Sequence, residues 1–199
     1  MASFVIDLAP LKKSRDFSLL WAAGLISYFG SMITYVAVPF QIKELTGSYV
    51  AVAISGLVEI VPLIIFGLYG GVLADAIDRK KLIWVTELLS LLFTGILLIN
   101  SMMDSPNLLL IYIVSGLFAA TSGLRQPAMQ AALPRLVAHE DMTAAAALMS
   151  LRWQVGVIVG PAIGGVLIST YSVAVGYAAD IATFIVSIVL IAFMRNIPP

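Results

Sequence analysis

The sequence predicts an all-α integral membrane protein, a bundle of six transmembrane helices. Of its 199 residues, 61% are hydrophobic and only 11% charged, whereas a soluble domain carries roughly 25% charge. Mean hydropathy is +1.04. The apolar residues also fall into six runs of 18 to 26 residues, matching the roughly 20 that a helix needs to cross the hydrocarbon of a bilayer.

The elements can be placed from the most charged stretch, Gly70 to Lys81. Five charges in seven residues, Asp75, Asp78, Arg79, Lys80 and Lys81, demand water, and the basic excess marks the cytoplasmic side. The first span, about 17–41, follows Lys12, Lys13 and Arg15 and is longer than the apolar core of a cleaved signal peptide. It closes at the polar turn from Lys43 to Gly47. The second span, about 49–74, returns the chain to the charged turn. The third, 82–102, stops at Asp104-Ser105-Pro106-Asn107, a turn signal. After the fourth, 108–129, Leu133 to Asp141 forms the longest polar connection. Its Glu140 and Asp141 suit the start of a helix dipole. That helix begins in water near Ala144 and becomes the fifth span, 151–168. The sixth is 173–194.

This arrangement puts eight basic residues inside (Lys12, Lys13, Arg15, Arg79, Lys80, Lys81, Arg135 and Arg195) and only Lys43 outside, with Arg125 and Arg152 near or within spans. The imbalance predicts a multi-pass protein of the cytoplasmic (inner) membrane with both termini cytoplasmic. Trp21, Trp84 and Trp153 fall near inner ends of spans and read as interfacial anchors. The whole of 1–199 reads as one bundle, and Pro198-Pro199 as the start of a cytoplasmic linker. With no cysteine, no disulfide or thiolate metal site can form. A single histidine, His139, and no H-E-x-x-H or G-x-S-x-G pattern argue against an enzyme or a metal centre. No basic domain supports nucleic-acid binding.

In the fifth span Gly156, Gly160 and Gly164 share one face at four-residue spacing, a groove that lets another backbone approach closely. Pro161 frees carbonyls there, so the helix can bend. Together with the charged turn, this stretch is more specific than either alone. Gly71-Val72-Leu73-Ala74-Asp75-Ala76-Ile77-Asp78-Arg79-Lys80 resembles the loop signature of the major facilitator superfamily, G-x-L-A-D-R-x-G-R-K. Gly156 to Gly165, with Gly160, Pro161, Gly164 and Gly165 in place, resembles its antiporter motif, G-x-x-x-G-P-x-x-G-G. Leu133-Pro134-Arg135-Leu136-Val137 looks like the drug and siderophore exporter branch, which includes enterobactin exporters and macrolide efflux proteins. Ala76 and Asp78 depart from the loop signature, standing where a basic residue and a glycine are usual.

The resemblance implies half of a major facilitator fold, the amino-terminal six of twelve spans, with spans one to three and four to six as possible inverted repeats. It implies proton-coupled export of a small amphipathic molecule, drug-like or siderophore-like, driven by a proton gradient and using no cofactor. The partners would be the lipid bilayer, a small-molecule substrate, and a carboxyl-terminal six-helix half or a second copy. The alternative is a truncated, non-transporting subunit that only assembles with a partner. By analogy, Gly71, Asp75, Asp78, Arg79 and Lys80 form a gating loop that meets the other half.

The resemblance assigns the cavity to the first and fourth helices. Tyr28, Ser31 and Tyr35 lie at i, i+3 and i+7, and Tyr112, Ser115, Ser122 and Gln126 at i, i+3, i+10 and i+14. Such polar stripes serve either substrate or helix contact. Glu59, mid-span near Pro62, sits where an ionisable group is penalised by about 2.5 to 3.5 kcal/mol. It reads either as a proton-coupling carboxylate facing the cavity or as a structural carboxyl bonded to a neighbouring helix. Asp180 shares a face with Gly176, Thr183 and Ser187, favouring structural pairing. Glu87, Arg125 and Arg152 read as charge latches, with either arginine pairing with Glu87 or Asp75.

Overall fold

A computed structural model describes residues 7–198. Met1 to Ile6 and Pro199 lie outside the described residues, the last being half of the expected linker start. A short helix α1 (Ala9–Lys13) precedes six long ones: α2 (Arg15–Thr46), α3 (Tyr49–Ala76), α4 (Arg79–Ser101), α5 (Leu108–Leu136), α6 (Met142–Thr170) and α7 (Val173–Ala192). All six are long and apolar enough to cross a membrane.

Their boundaries follow local chemistry. Ser14, Ser48, Asp78, Asn107 and Ser172 are the N-caps of α2, α3, α4, α5 and α7, each side chain accepting a backbone N–H from the first turn. Gly47 ends α2 in the left-handed region at φ 66°, where its N–H still reaches the Lys43 carbonyl at 2.9 Å. Lys43 then lies 3.5 Å from the centroid of the Tyr49 ring, tying the turn to α3. Asn100 clasps the next turn by accepting from the Asn107 N–H at 2.9 Å.

The helices outrun the spans read from the sequence. α5 continues to Leu136, so Leu133 to Leu136 is helix rather than connection. Pro127 and Pro134 interrupt α5 without ending it, because each removes only one backbone bond and the surrounding turns carry the rest. A 3-10 turn (His139–Asp141) then leads into α6, which begins at Met142 as one continuous helix. Asp141 is its N-cap residue but makes no side-chain cap bond. Its carboxylate instead accepts from Lys13 Nζ at 2.9 and 3.0 Å, with Glu140 at 3.6 Å. The bond to Asp141 raises the Lys13 pKa above 10.5. A raised lysine pKa means the pairing is fully present below 10.5 and fades only as pH climbs through the folded-state value. Lys13→Gln is therefore expected to speed amide exchange over Met142 to Ala145. The unaltered protein should show no loss of protection there between about pH 7 and pH 9 beyond intrinsic exchange.

α2 packs against α6 and α7, α5 against α3 and α4, and α4 against α7. Exchanging α2 with α5, α3 with α6 and α4 with α7 leaves this list of partners unchanged. Two spans lie between the members of each pair, so equivalent helices run in opposite directions, as an inverted repeat requires. The symmetry lies in the packing, and no residue-level similarity announces it.

Two large apolar clusters, with a smaller one of Phe17, Val137, Ala145 and Leu148, hold the bundle among the described residues. One, at the end carrying Lys13, Arg79, Lys80 and Arg195, joins Leu20, Ala74, Ile83, Ala128, Met129 and Ile191. The other, at the Lys43 end, joins Ala37, Ile42, Leu97, Ile111, Ile168 and Tyr177. Between them lies a belt of buried polar groups: Ser27, Thr34, Glu87, Ser90, Thr94, Thr121, Arg125 and Asp180. Within their most apolar stretches α2 and α5 are 44% and 50% buried, whereas α3 is 6% and α6 28% buried. One side of this pair of outer helices is therefore left uncovered by the described residues.

Candidate functional site: a polar belt and the cleft above it

The belt is built around two carboxylates that the core must neutralise or saturate with hydrogen bonds. Glu87 is 1% exposed; its Oε1 accepts from Arg125 Nη1 at 2.8 Å and from the Ser27 hydroxyl at 3.0 Å, while Oε2 has no partner. Of the two arginines read as latch partners, Arg125 makes the pair. Asp180 is fully buried and accepts from the hydroxyls of Thr34, Thr94 (3.4 Å) and Thr183 (3.3 Å). It meets no cation within ion-pair distance among the described residues. It thus ties α7 to α2 and α4. The Ser90 and Thr121 hydroxyls, 2.8 Å apart, join α4 to α5 beside the Glu87 pair.

Glycines set the distance between α6 and α2. A Cβ at Gly156 would run into the Tyr28 ring, and one at Gly160 into the Met32 Cβ, with Phe29 O 3.0 Å away. A Cβ at Gly164 would be 3.1 Å from the Ile33 Cα. The groove read from the fifth span is thus filled by α2, whereas a Cβ at Gly165 would meet nothing within 4 Å. Pro161 lies inside α6, which remains helical on both sides of it. The α3/α5 seam is as close: a Cβ at Gly123 would be 2.6 Å from Leu63 O, and one at Gly70 2.9 Å from the Leu124 Cα.

α5 and α6 touch little, and toward the basic end they border a cleft of about 470 Å³. Gln126 and Gln130 of α5 line it, with Ser150, Arg152, Trp153 and Gln154 of α6. α2 floors it, since a Cβ at Gly24 would collide with the Arg152 guanidinium and the Met129 methyl. Arg152 is 8% exposed, and no carboxylate lies within ion-pair distance of it among the described residues. Its Nη1 reaches only the Met129 sulfur, at 3.8 Å, and its Nε has no partner.

The structure divides the two polar stripes. Gln126 is exposed in the cleft and Tyr28 half-buried beside Gly156. Tyr35 is 62% exposed nearer the other end. Ser31 is buried and donates to Ser27 O at 2.9 Å; Tyr112 donates to Ala51 O on α3 at 2.8 Å; Ser122 donates to Phe118 O at 3.3 Å; Ser115 is buried with no partner. Glu59 is half-buried on α3 and makes no hydrogen bond or ion pair among the described residues.

At the basic end Asp75 is exposed, with Arg79 3.9 Å away. The buried Arg79 donates to Pro198 O at 2.6 Å, and Lys80 to Ala192 O at 3.1 Å and to Met194 O. Asp78, the departure from the glycine of the loop signature, caps α4 by accepting from the Lys81 N–H at 2.9 Å. Gly71 sits in the last turns of α3, where a Cβ would meet nothing within 4 Å. A second cleft, about 390 Å³, lies here between Lys80, Trp84 and Ala192. Its Lys80 is already occupied by the Ala192 and Met194 carbonyls.

Ser27, Thr34, Ser90, Thr94, Gln130 and Gln154 escaped the sequence reading. Glu87, Ser90 and Thr94 stand at i, i+3 and i+7 on α4, as polar residues on one face, and that spacing is the signal that would have found them. Trp153, read as an anchor, borders the cleft, while Trp21 donates its indole N–H to Leu148 O at 2.9 Å.

A family model described as transmembrane secretion effector matches residues 5–198. Enterobactin exporters EntS of Citrobacter koseri and of an Escherichia coli O139:H28 strain are each 34% identical over 202 residues, and that of Salmonella choleraesuis 34% over 203. Each match covers 99% of this chain and 48% of the relative. The chain spans about half the length of the curated relatives it matches.

Proposed function

The chain belongs to the transmembrane secretion effector family of the major facilitator superfamily, and from that premise we propose that it acts as the amino-terminal half of an exporter of small, partly apolar molecules. The relatives named as enterobactin exporters favour a siderophore-like cargo. The observation that carries the reading is the cleft between α5 and α6, lined by both polar and apolar side chains, floored by α2, and backed by the buried Glu87–Arg125 ion pair of the polar belt.

In this reading a second six-helix unit, a carboxyl-terminal half or another copy, covers the open side of α3 and α6. The two units rock about the cleft, exposing it to either face of the membrane in turn. The gating loop, Gly71 to Lys80, lies at the cytoplasmic end with both termini. Its exposed Asp75 meets the second unit, while Arg79 and Lys80 hold the end of α7. The closely packed glycines of α6 make α2 and α6 move as one body. Glu59, unpaired and half-buried on the open helix α3, takes and releases the coupling proton.

Proteoliposomes holding this chain, alone or with a carboxyl-terminal six-helix half, test this directly. An imposed proton gradient is expected to drive accumulation of a fluorescent amphipathic dye. Glu59→Gln should abolish uphill accumulation while leaving downhill dye movement. Dye movement in the unaltered protein that ignores the gradient would overturn proton coupling, and binding without any movement would leave only an assembly role.

A further inference from the structure

The cleft is lined by a buried cation that has no carboxylate within ion-pair distance among the described residues. Glu87 Oε1 is already shared by Arg125 and Ser27, and Asp180 is held by three threonine hydroxyls. That leaves Arg152, 92% buried by its 8% exposure, with an unpartnered Nε and only a thioether at its Nη1. A guanidinium presents five donors in a planar fork suited to carboxylate, phosphate or sulfonate oxygens. Thioether sulfur is a weak acceptor and cannot satisfy them. Burying a cation without an anion is costly, and sequences retain such a group where something else supplies the charge.

We propose that the molecule carried through this cleft bears an anionic group, and that Arg152 is its counter-ion. The flanking residues fit that ligand. Gln126, Gln130 and Gln154 add amide donors around the guanidinium, Ser150 a hydroxyl, and Trp153 an exposed ring for an aromatic or aliphatic body. The guanidinium rests over Gly24 of α2, where any side chain would displace it. α2 thereby fixes the height at which the anionic group docks. The inference rests on the exporter reading but concerns equilibrium binding only, so it is tested without a gradient.

The probe is a pair of isosteric ligands, 1-naphthalenesulfonate and the neutral 1-naphthalenesulfonamide, titrated by calorimetry into the full chain in phosphocholine nanodiscs. The unaltered protein is expected to prefer the sulfonate by about tenfold, the scale of one charge-assisted contact. Arg152→Gln should erase that preference while keeping sulfonamide binding, and Arg152→Lys should retain part of it. Equal affinity for both ligands in the unaltered protein, or an undiminished preference in Arg152→Gln, overturns the proposal. Should Arg152→Gln not fold, Gly24→Ala, which pushes on the guanidinium and on the neighbouring Met129 methyl, is expected to weaken sulfonate binding more than sulfonamide binding. Repeating the titration in discs containing phosphatidylglycerol separates the two sources of anion. Sulfonate binding that persists assigns the site to a soluble cargo, and binding that the lipid abolishes assigns it to a headgroup and overturns the cargo assignment.

Discussion

Arg125→Leu is expected to destabilise the folded chain by about 3 to 5 kcal/mol, the penalty for leaving one member of a buried ion pair behind. Glu87 is 1% exposed, its Oε1 depends on Arg125 and Ser27, and its Oε2 is already without a partner. Removing the guanidinium leaves a carboxylate in the core with a single hydroxyl donor. Replacing both residues, as Glu87→Gln with Arg125→Gln, removes both charges and should cost much less than the two single changes added together. Chemical unfolding of the purified protein in mixed micelles, run as a double-mutant cycle, reads this coupling. Additive losses would mean that the pair is not an energetic unit.

Gly160→Leu is expected to separate α6 from α2. Its side chain would meet the Met32 Cβ and, at 3.0 Å from the first added carbon, the Phe29 carbonyl. A flexible side chain can turn away, but a helix carbonyl cannot. Overpacking of this kind costs about 1 to 3 kcal/mol, and here it also widens the floor of the cleft. Gly165→Ala is the control, since nothing lies within 4 Å of its added carbon; it should be neutral or slightly stabilising. Unfolding midpoints of the two variants check this, and equal losses would contradict the proposed seam.

The helices were legible in the sequence because bilayer thickness and the cost of unbonded backbone leave few alternatives. Their ends were less so: the sequence marks where hydrocarbon stops, and α5 and α6 continue as helix beyond it. The α6 face was legible from the spacing of Gly156, Gly160 and Gly164, but its partner was not. Nothing local says that α2, rather than a second protein, fills the groove. The same holds for Glu87. Its pairing with an arginine was read from the sequence, whereas the choice of Arg125 over Arg152 depends on packing between α4 and α5. Thr34 and Thr94 escaped notice because a threonine in a membrane helix usually bonds its own backbone, and only the fold brings them to Asp180.

The central claim is that the α5/α6 cleft faces water while the outer surfaces of α4 and α7 face lipid. The chain contains no cysteine, so single cysteines can be placed without background. In nanodiscs, a membrane-impermeant maleimide is expected to label Gln126→Cys and Gln154→Cys rapidly. Leu92→Cys and Val189→Cys, exposed on α4 and α7, should stay unlabelled because hydrocarbon excludes both reagent and thiolate. Slow labelling at all four positions, or faster labelling at Leu92 and Val189, would contradict a water-filled cleft and the exporter reading built on it.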